Sequence, residues 1–170
     1  TIRSFHPEEV RKFKRELKHC FQTICRAEKK SKRAITGMVL DLRQNSGGHI
    51  AIMAELLPYL ASEETRIPFG AQIKHSKVAR GQLSQPWIGG SVFSLGYDRN
   101  FMRLNKAIRD QNQNNMSFVP FVTPIIPKKR LNYSGPVAMV LDGLSASASV
   151  SLAAWFVRSG RGKTIGEPPM

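Results

Sequence analysis

The 170-residue chain predicts an α/β domain, and three observations carry that prediction. Two segments, Gly37-Met-Val-Leu-Asp-Leu42 and Val137-Ala-Met-Val-Leu141, have the near-continuous apolar character of strands covered on both faces, as in a parallel sheet. Each leads into turn chemistry, Gln44-Asn-Ser-Gly-Gly48 in the first case and Asp142-Gly143 in the second, and then into residues at helical spacing. With 41% hydrophobic residues, a chain of this length can bury a sizeable core.

The elements follow in order. Ile2 to Phe5 fits a short strand. From about Pro7 to Lys30, Val10, Phe13, Leu17, Phe21, Ile24 and Ala27 recur on one face of a helix, which ends in the polar Lys29-Lys-Ser-Lys-Arg33. After the first strand and its glycine turn, Ile50, Met53, Leu56, Leu57 and Leu60 resume the helical period. The stretch from about 62 to 132 is an excursion that could pack over a site as a lid. It mixes short β-like runs, a Gly89-Gly90 turn, a helix near Phe101 to Gln111 and the proline-containing Ser117 to Pro127. Beyond the second strand, small residues build a helix from Ser145 to Val157, closed by Gly160-Arg-Gly162. Lys163-Thr-Ile165 then begins another strand before Gly166-Glu-Pro-Pro169.

Composition excludes several classes. No apolar run approaches the length of a membrane span, so no transmembrane segment is expected. The opening Thr1-Ile-Arg-Ser-Phe5 is neither a signal peptide nor an initiator, which suggests a piece of a longer protein. Cys20 and Cys25 fall five positions apart on one helix, where their Cβ vectors diverge too far for a mutual disulfide. A net charge of +14 raises nucleic acid as a partner. The distribution weakens that reading: residues 8–33 hold ten Lys/Arg against four Glu, and these are the solvated face of the amphipathic helix. The Lys128-Lys-Arg130 cluster reads as a loop, and no zinc spacing or recognition-helix pattern accompanies it. No specific nucleic acid, metal or cofactor is expected.

The chemistry concentrates at the two turns. A serine at a strand-to-helix junction sets its Oγ beside unpaired backbone donors, where the helix end favours a developing oxyanion. Ser147 is best placed, with the Ala148 N–H as one donor. The Gly47-Gly48 turn is the natural second source, since glycine admits close backbone approach. An N-cap role for Ser145 or Ser147 is the competing reading, and the serines alone do not decide between them.

A family resemblance shifts the balance. Leu40-Asp-Leu-Arg-Gln-Asn-Ser-Gly-Gly48 resembles the Leu-Asp-Leu-Arg-x-Asn-x-Gly-Gly signature of the C-terminal processing (tail-specific) serine proteases. Ser145-Ala-Ser-Ala-Ser149 is similar to their Ser-Ala-Ser-Ala-Ser-Glu nucleophile segment, and Gly160-Arg161 and Gly166-Glu-Pro168 fall where the family has Gly-Arg and Gly-Glu-Pro. The match covers roughly residues 1–60 and 135–170. It implies Ser147 as nucleophile, the N–H groups of Ala148 and of Gly47 or Gly48 as the oxyanion hole, and Asp41 and Arg43 as a buried positioning pair. It also implies a peptide or protein substrate and a periplasmic or extracellular location. The implied architecture is a ClpP/crotonase-like spiral of strand-strand-helix units, a single protease-core-like domain over 1–170.

The sequence departs from that pattern in places. Val150 stands where the family has glutamate, and Pro169 where it has threonine after Gly-Glu-Pro. The family's usual lysine base lies beyond that loop, past Met170. Lys163 precedes the turn and does not inherit the role. Some relatives use a histidine, and His49 alone adjoins the glycine turn, whereas His6, His19 and His75 have no motif around them. The PDZ-like module of many relatives does not occur within these residues. Two alternatives accompany the protease reading: a catalytically inactive relative acting as a ligand- or protein-binding module, and a basic surface-binding module supported by charge alone.

Overall fold

The computed structural model describes residues 1–6, 10–30, 35–66, 70–74, 76, 116–120 and 124–169. The chain forms two compact units, one of Thr1–Thr65 with Ile125–Met170 and one of Arg66–Pro124. The first holds helix α1 (Val10–Lys30), strand β1 (Met38–Asp41), and helices α2 (Ile50–Ala54) and α3 (Leu57–Leu60). Strand β6 (Val137–Leu141), helix α4 (Ala148–Arg158) and strand β7 (Gly162–Gly166) complete it. Short strands β2 (Thr65–Arg66) and β5 (Pro124–Ile125) pair with each other. In the second unit, β3 (Gly70–Lys74) pairs antiparallel with β4 (Met116–Pro120). The helix expected near 101–111 and the Gly89-Gly90 turn lie outside the described residues.

A three-stranded parallel sheet, ordered β1-β6-β7, organises the first unit. The two strands expected from sequence are neighbours in register, Met38 opposite Val137 and Asp41 opposite Val140. Both strands therefore end at the same edge of the sheet, and both turns emerge there. The Ile2–Phe5 segment runs beside this edge without becoming a full strand. Ile2 N–H donates to Asp41 O at 2.9 Å and Phe5 N–H to Gly47 O at 2.8 Å, and Phe5 forms an isolated parallel bridge with Gly48.

The core lies on one face of the sheet. Leu40, Val137, Met139 and Leu141 of the sheet are buried, as are Leu152, Ala153 and Phe156 of α4 and Ile52, Met53, Leu56 and Leu57 of the α2–α3 region, and α4 packs against α2 and β7. Helix α1 contributes its stripe through buried Leu17 and Phe21, and Phe21 stacks on Tyr59 with ring centroids 4.6 Å apart.

Three expectations need correction. The strands are not covered on both faces: Val39 is 66% exposed and Ile165 58%, with Ala138 and Val140 half-buried between them. An all-apolar run carries no alternation to reveal which face lies open. The helix read from Ile50 to Leu60 is two short ones, because Pro58 cannot donate the N–H that would continue the first. Helix α4 starts at Ala148 rather than Ser145, since Ser147 has a positive φ of 52° that no α-helical residue adopts. Among the described residues, no helix is long and apolar enough to cross a membrane.

Candidate active site

The two turns at the end of the parallel sheet meet in space. A Cβ placed on Gly47 would lie 2.6 Å from Ser147 Cβ, 2.7 Å from Ala146 O and 2.9 Å from Ala148 N. Only a residue without a side chain lets these backbones approach so closely. On the other side, a Cβ on Gly48 would overlap the Phe5 carbonyl. Gly47 and Gly48 have φ of 99° and 128°, so glycine is required by conformation as well as by space. The structure thus brings Ser147, Ala148, Gly47 and Gly48 together.

The three motif serines differ sharply. Ser145 and Ser149 are fully buried. Ser145 Oγ lies 3.0 Å from the Leu42 carbonyl and from Asp142 Oδ1, and accepts the Asp142 N–H at 3.1 Å. Ser149 Oγ donates to the Asn45 carbonyl at 2.9 Å. Both act as fasteners between the two turns. Ser147 is exposed, makes no side-chain cap bond although it occupies the N-cap position of α4, and sits at φ 52°, ψ −114°. A non-glycine residue in that region stores strain of about 1–3 kcal/mol, which the surrounding hydrogen bonds must sustain. The N-cap explanation for this serine therefore fails on geometry.

The backbone donors are also sorted. Gly47 N–H donates to Asn45 Oδ1 at 2.9 Å, so of the two glycine amides expected as oxyanion donors this one is already engaged. Gly48 N–H and Ala148 N–H have no protein acceptor among the described residues. Phe5 takes the groups on its side of the Gly48 bridge through Gly47 O and the His49 N–H, which leaves the Gly48 N–H on the opposite side. Ala148 opens an eleven-residue helix, whose N-terminus adds positive potential.

Asp142 was not read from sequence as a functional residue, yet its carboxylate joins the turns. Both its oxygens lie 3.0 Å from Gln44 N, and Oδ1 also accepts Leu144 N–H at 3.2 Å. These bonds, first among them that from Gln44 N–H, hold its pKa below the ordinary aspartate value. They also fix Gln44 at a φ of 62°, the other non-glycine residue with positive φ among the described residues. Asp41 and Arg43 form the expected pair, with two guanidinium contacts of 3.0 Å, but it is not buried: the Arg43 side chain is 58% exposed. The Arg43 guanidinium and N–H hold the Asp41 carboxyl far below its usual range.

No base contacts Ser147 among the described residues. His6 and His49 are exposed and make no hydrogen bond to it, nor does the exposed Lys163 of β7. Among the described residues, no group of three or more His, Cys, Asp or Glu could hold a metal ion. Arg161 of the Gly-Arg pair lies elsewhere in the unit. Its guanidinium donates to Leu60 O at 2.6 Å, Tyr133 O at 2.6 Å and Gly135 O at 2.9 Å, and so ties the end of α3 to the segment leading into β6.

Comparisons with known proteins give the fold and the family of the chain. A search of curated proteins found no match. Among solved structures, mature CPAF complexed with lactacystin is similar, with a TM-score of 0.63 and 13% identity over 92% of this chain and 33% of that one. The photosystem II D1 C-terminal processing protease is also similar, with a TM-score of 0.50 and 14% identity over 99% of this chain and 29% of that one. At such identities these likenesses show the fold alone, a mixed α/β arrangement with a parallel sheet. The chain spans about a third of the length of these structures. The model of peptidase family S41 matches residues 1–170, the whole of the sequence. The chain therefore belongs to peptidase family S41.

Proposed function

We propose that this chain is core sequence of a serine endopeptidase of the C-terminal processing type, which cleaves peptide bonds through an acyl-enzyme on Ser147. One observation carries the reading: Ser147 alone among the three motif serines has a free, exposed hydroxyl, at a strained strand-to-helix junction beside two unengaged amides. In the reaction, Ser147 Oγ attacks the substrate carbonyl carbon and its proton passes to a general base. The carbonyl oxygen, now negative, accepts from Ala148 N–H and Gly48 N–H, donors worth about 3–4 kcal/mol each in comparable sites. Collapse of the tetrahedral intermediate expels the amine, and water then releases the acid. Gly47 serves by lacking a side chain, which lets Ser147 reach the second turn.

The remaining parts of the reading rest on family membership. The architecture is a ClpP/crotonase-like spiral forming one protease-core domain, with residues of about 62–132 as an inserted excursion. The substrate is an extended peptide or protein, and the protein works in the periplasm or outside the cell.

The competing reading, an inactive relative that binds a ligand or protein, draws on the lack of any base at Ser147 Oγ among the described residues. Labelling the full protein with a fluorophosphonate probe separates the two. Wild type should label and Ser147→Ala should not; equal labelling of the two proteins removes Ser147 from the role.

A further inference from the structure

Asn45 is fully buried, and its polar groups reach all three segments that build the candidate site. Its Nδ2 donates to the Ile2 carbonyl at 3.0 Å. Its Oδ1 accepts Gly47 N–H at 2.9 Å. Its main-chain carbonyl accepts Ala146 N–H at 3.1 Å and Ser149 Oγ at 2.9 Å, and its own N–H donates to Leu42 O at 3.0 Å. One end of the side-chain amide faces a carbonyl and the other an N–H, so the network fixes its orientation.

These bonds have a directional consequence. The turn Ser46-Gly47-Gly48 carries two successive glycine amides, and the sequence by itself does not distinguish them as oxyanion donors. By engaging Gly47 N–H from within the protein, Asn45 leaves Gly48 N–H as the donor the glycine pair can offer. Through Ala146 and Ser149, the same residue holds the residues on either side of the strained Ser147. A buried amide at this point thus fixes both the nucleophile turn and the donor turn.

We infer that Asn45 is a positioning residue of the serine reaction, which selects Gly48 as the oxyanion donor and holds it in register with Ala148. The inference rests on the assignment of Ser147 as nucleophile. Asn45 does not touch substrate. Its effect falls on the chemical step, because the oxyanion contact it aligns forms in the transition state.

The test is the rate of fluorophosphonate labelling of Ser147 in the full protein, with kcat and KM on a peptide substrate, for wild type, Asn45→Ala, Asn45→Asp and Ser147→Ala. Asn45→Ala should slow labelling by about 100-fold or more, the scale of losing one oxyanion donor, and lower kcat with little change in KM. Asn45→Asp supplies the second readout. Ionised, its carboxylate keeps the Gly47 bond but faces the Ile2 carbonyl without a proton; protonated, it reproduces the acceptor and donor of asparagine. Its labelling rate relative to wild type should therefore rise as pH is lowered, with the change again falling on kcat rather than KM. A folded Asn45→Ala that labels at the wild-type rate overturns the inference, as does an Asn45→Asp ratio that is flat with pH. If wild type and Ser147→Ala label alike, the nucleophile assignment falls and this inference falls with it.

Discussion

Gly48 and Gly160 share a positive φ but differ in what surrounds them, and the difference predicts unequal costs. At Gly160, φ is 64° and nothing lies within 4 Å of an added Cβ, so Gly160→Ala meets only the left-handed backbone penalty of about 1–2 kcal/mol. At Gly48, φ is 128° and an added Cβ overlaps the Phe5 carbonyl, so the Phe5 segment must move and break the bridge that aligns it. Strain and overpacking together place Gly48→Ala at about 3 kcal/mol or more. Urea denaturation should give a much lower midpoint for Gly48→Ala than for Gly160→Ala. Similar midpoints would show that the Phe5 segment yields easily and does not constrain the turn. Ser147 differs from both, since its positive φ of 52° is kept by a residue that has a side chain. Strain of that kind persists where the surrounding bonds over-determine it, here those of Ser145, Ser149 and Ala146.

At the scale of elements, the strands and long helices were legible because their signals are local. The apolar runs at 38–41 and 137–141, the stripe of α1 and the small-residue helix α4 appear close to where they were expected. The hydrogen bonds that join the two turns were not legible. Nothing near Asn45 in the sequence announces that its carbonyl meets Ser149, and nothing near Asp142 announces Gln44, because each bond spans about a hundred positions. The alternation Ser145-Ala-Ser-Ala-Ser149 was a partial signal, two serines turned inward and one outward, but only the folded turn shows which. Arg161 makes the same point with a testable cost. Its planar fork satisfies three carbonyls from two segments, and burial presses its pKa downward. Arg161→Ala should cost about 2–4 kcal/mol by leaving partly buried acceptors unpaired. Arg161→Lys should recover little of it, since a single ammonium cannot span the same fork. Chemical denaturation of the three proteins checks this, and a lysine variant as stable as wild type would show that charge rather than geometry holds the junction.

Taken as a whole, the molecule joins a strongly cationic surface to a sheet edge held by carboxylates, and acid should attack both at once. The chain has 26 Lys/Arg against 12 Asp/Glu and a net charge of +14 at pH 7, so each carboxylate protonated adds to existing self-repulsion. Asp41 and Asp142 have folded-state pKa values depressed below the ordinary 3.8, the first chiefly by Arg43 and the second chiefly by the Gln44 N–H. For a depressed carboxylate, the stabilisation is fully present above the unfolded-state pKa and drains away as pH falls through the folded value. The loss should therefore begin below about pH 4 and deepen with further acid. Asp142 bridges the two turns, so its protonation should loosen the sheet edge around Ser147 before the core opens. Thermal melts across this range should show a falling midpoint for wild type and a shallower acid limb for Asp142→Asn, which starts lower at neutral pH but has no proton to gain. Added salt should lift the acid midpoints of both proteins by screening the repulsion, while the difference in slope survives because those contacts are short. Parallel acid limbs for the two proteins would show that general charge repulsion, rather than the bond between the turns, sets the response to acid.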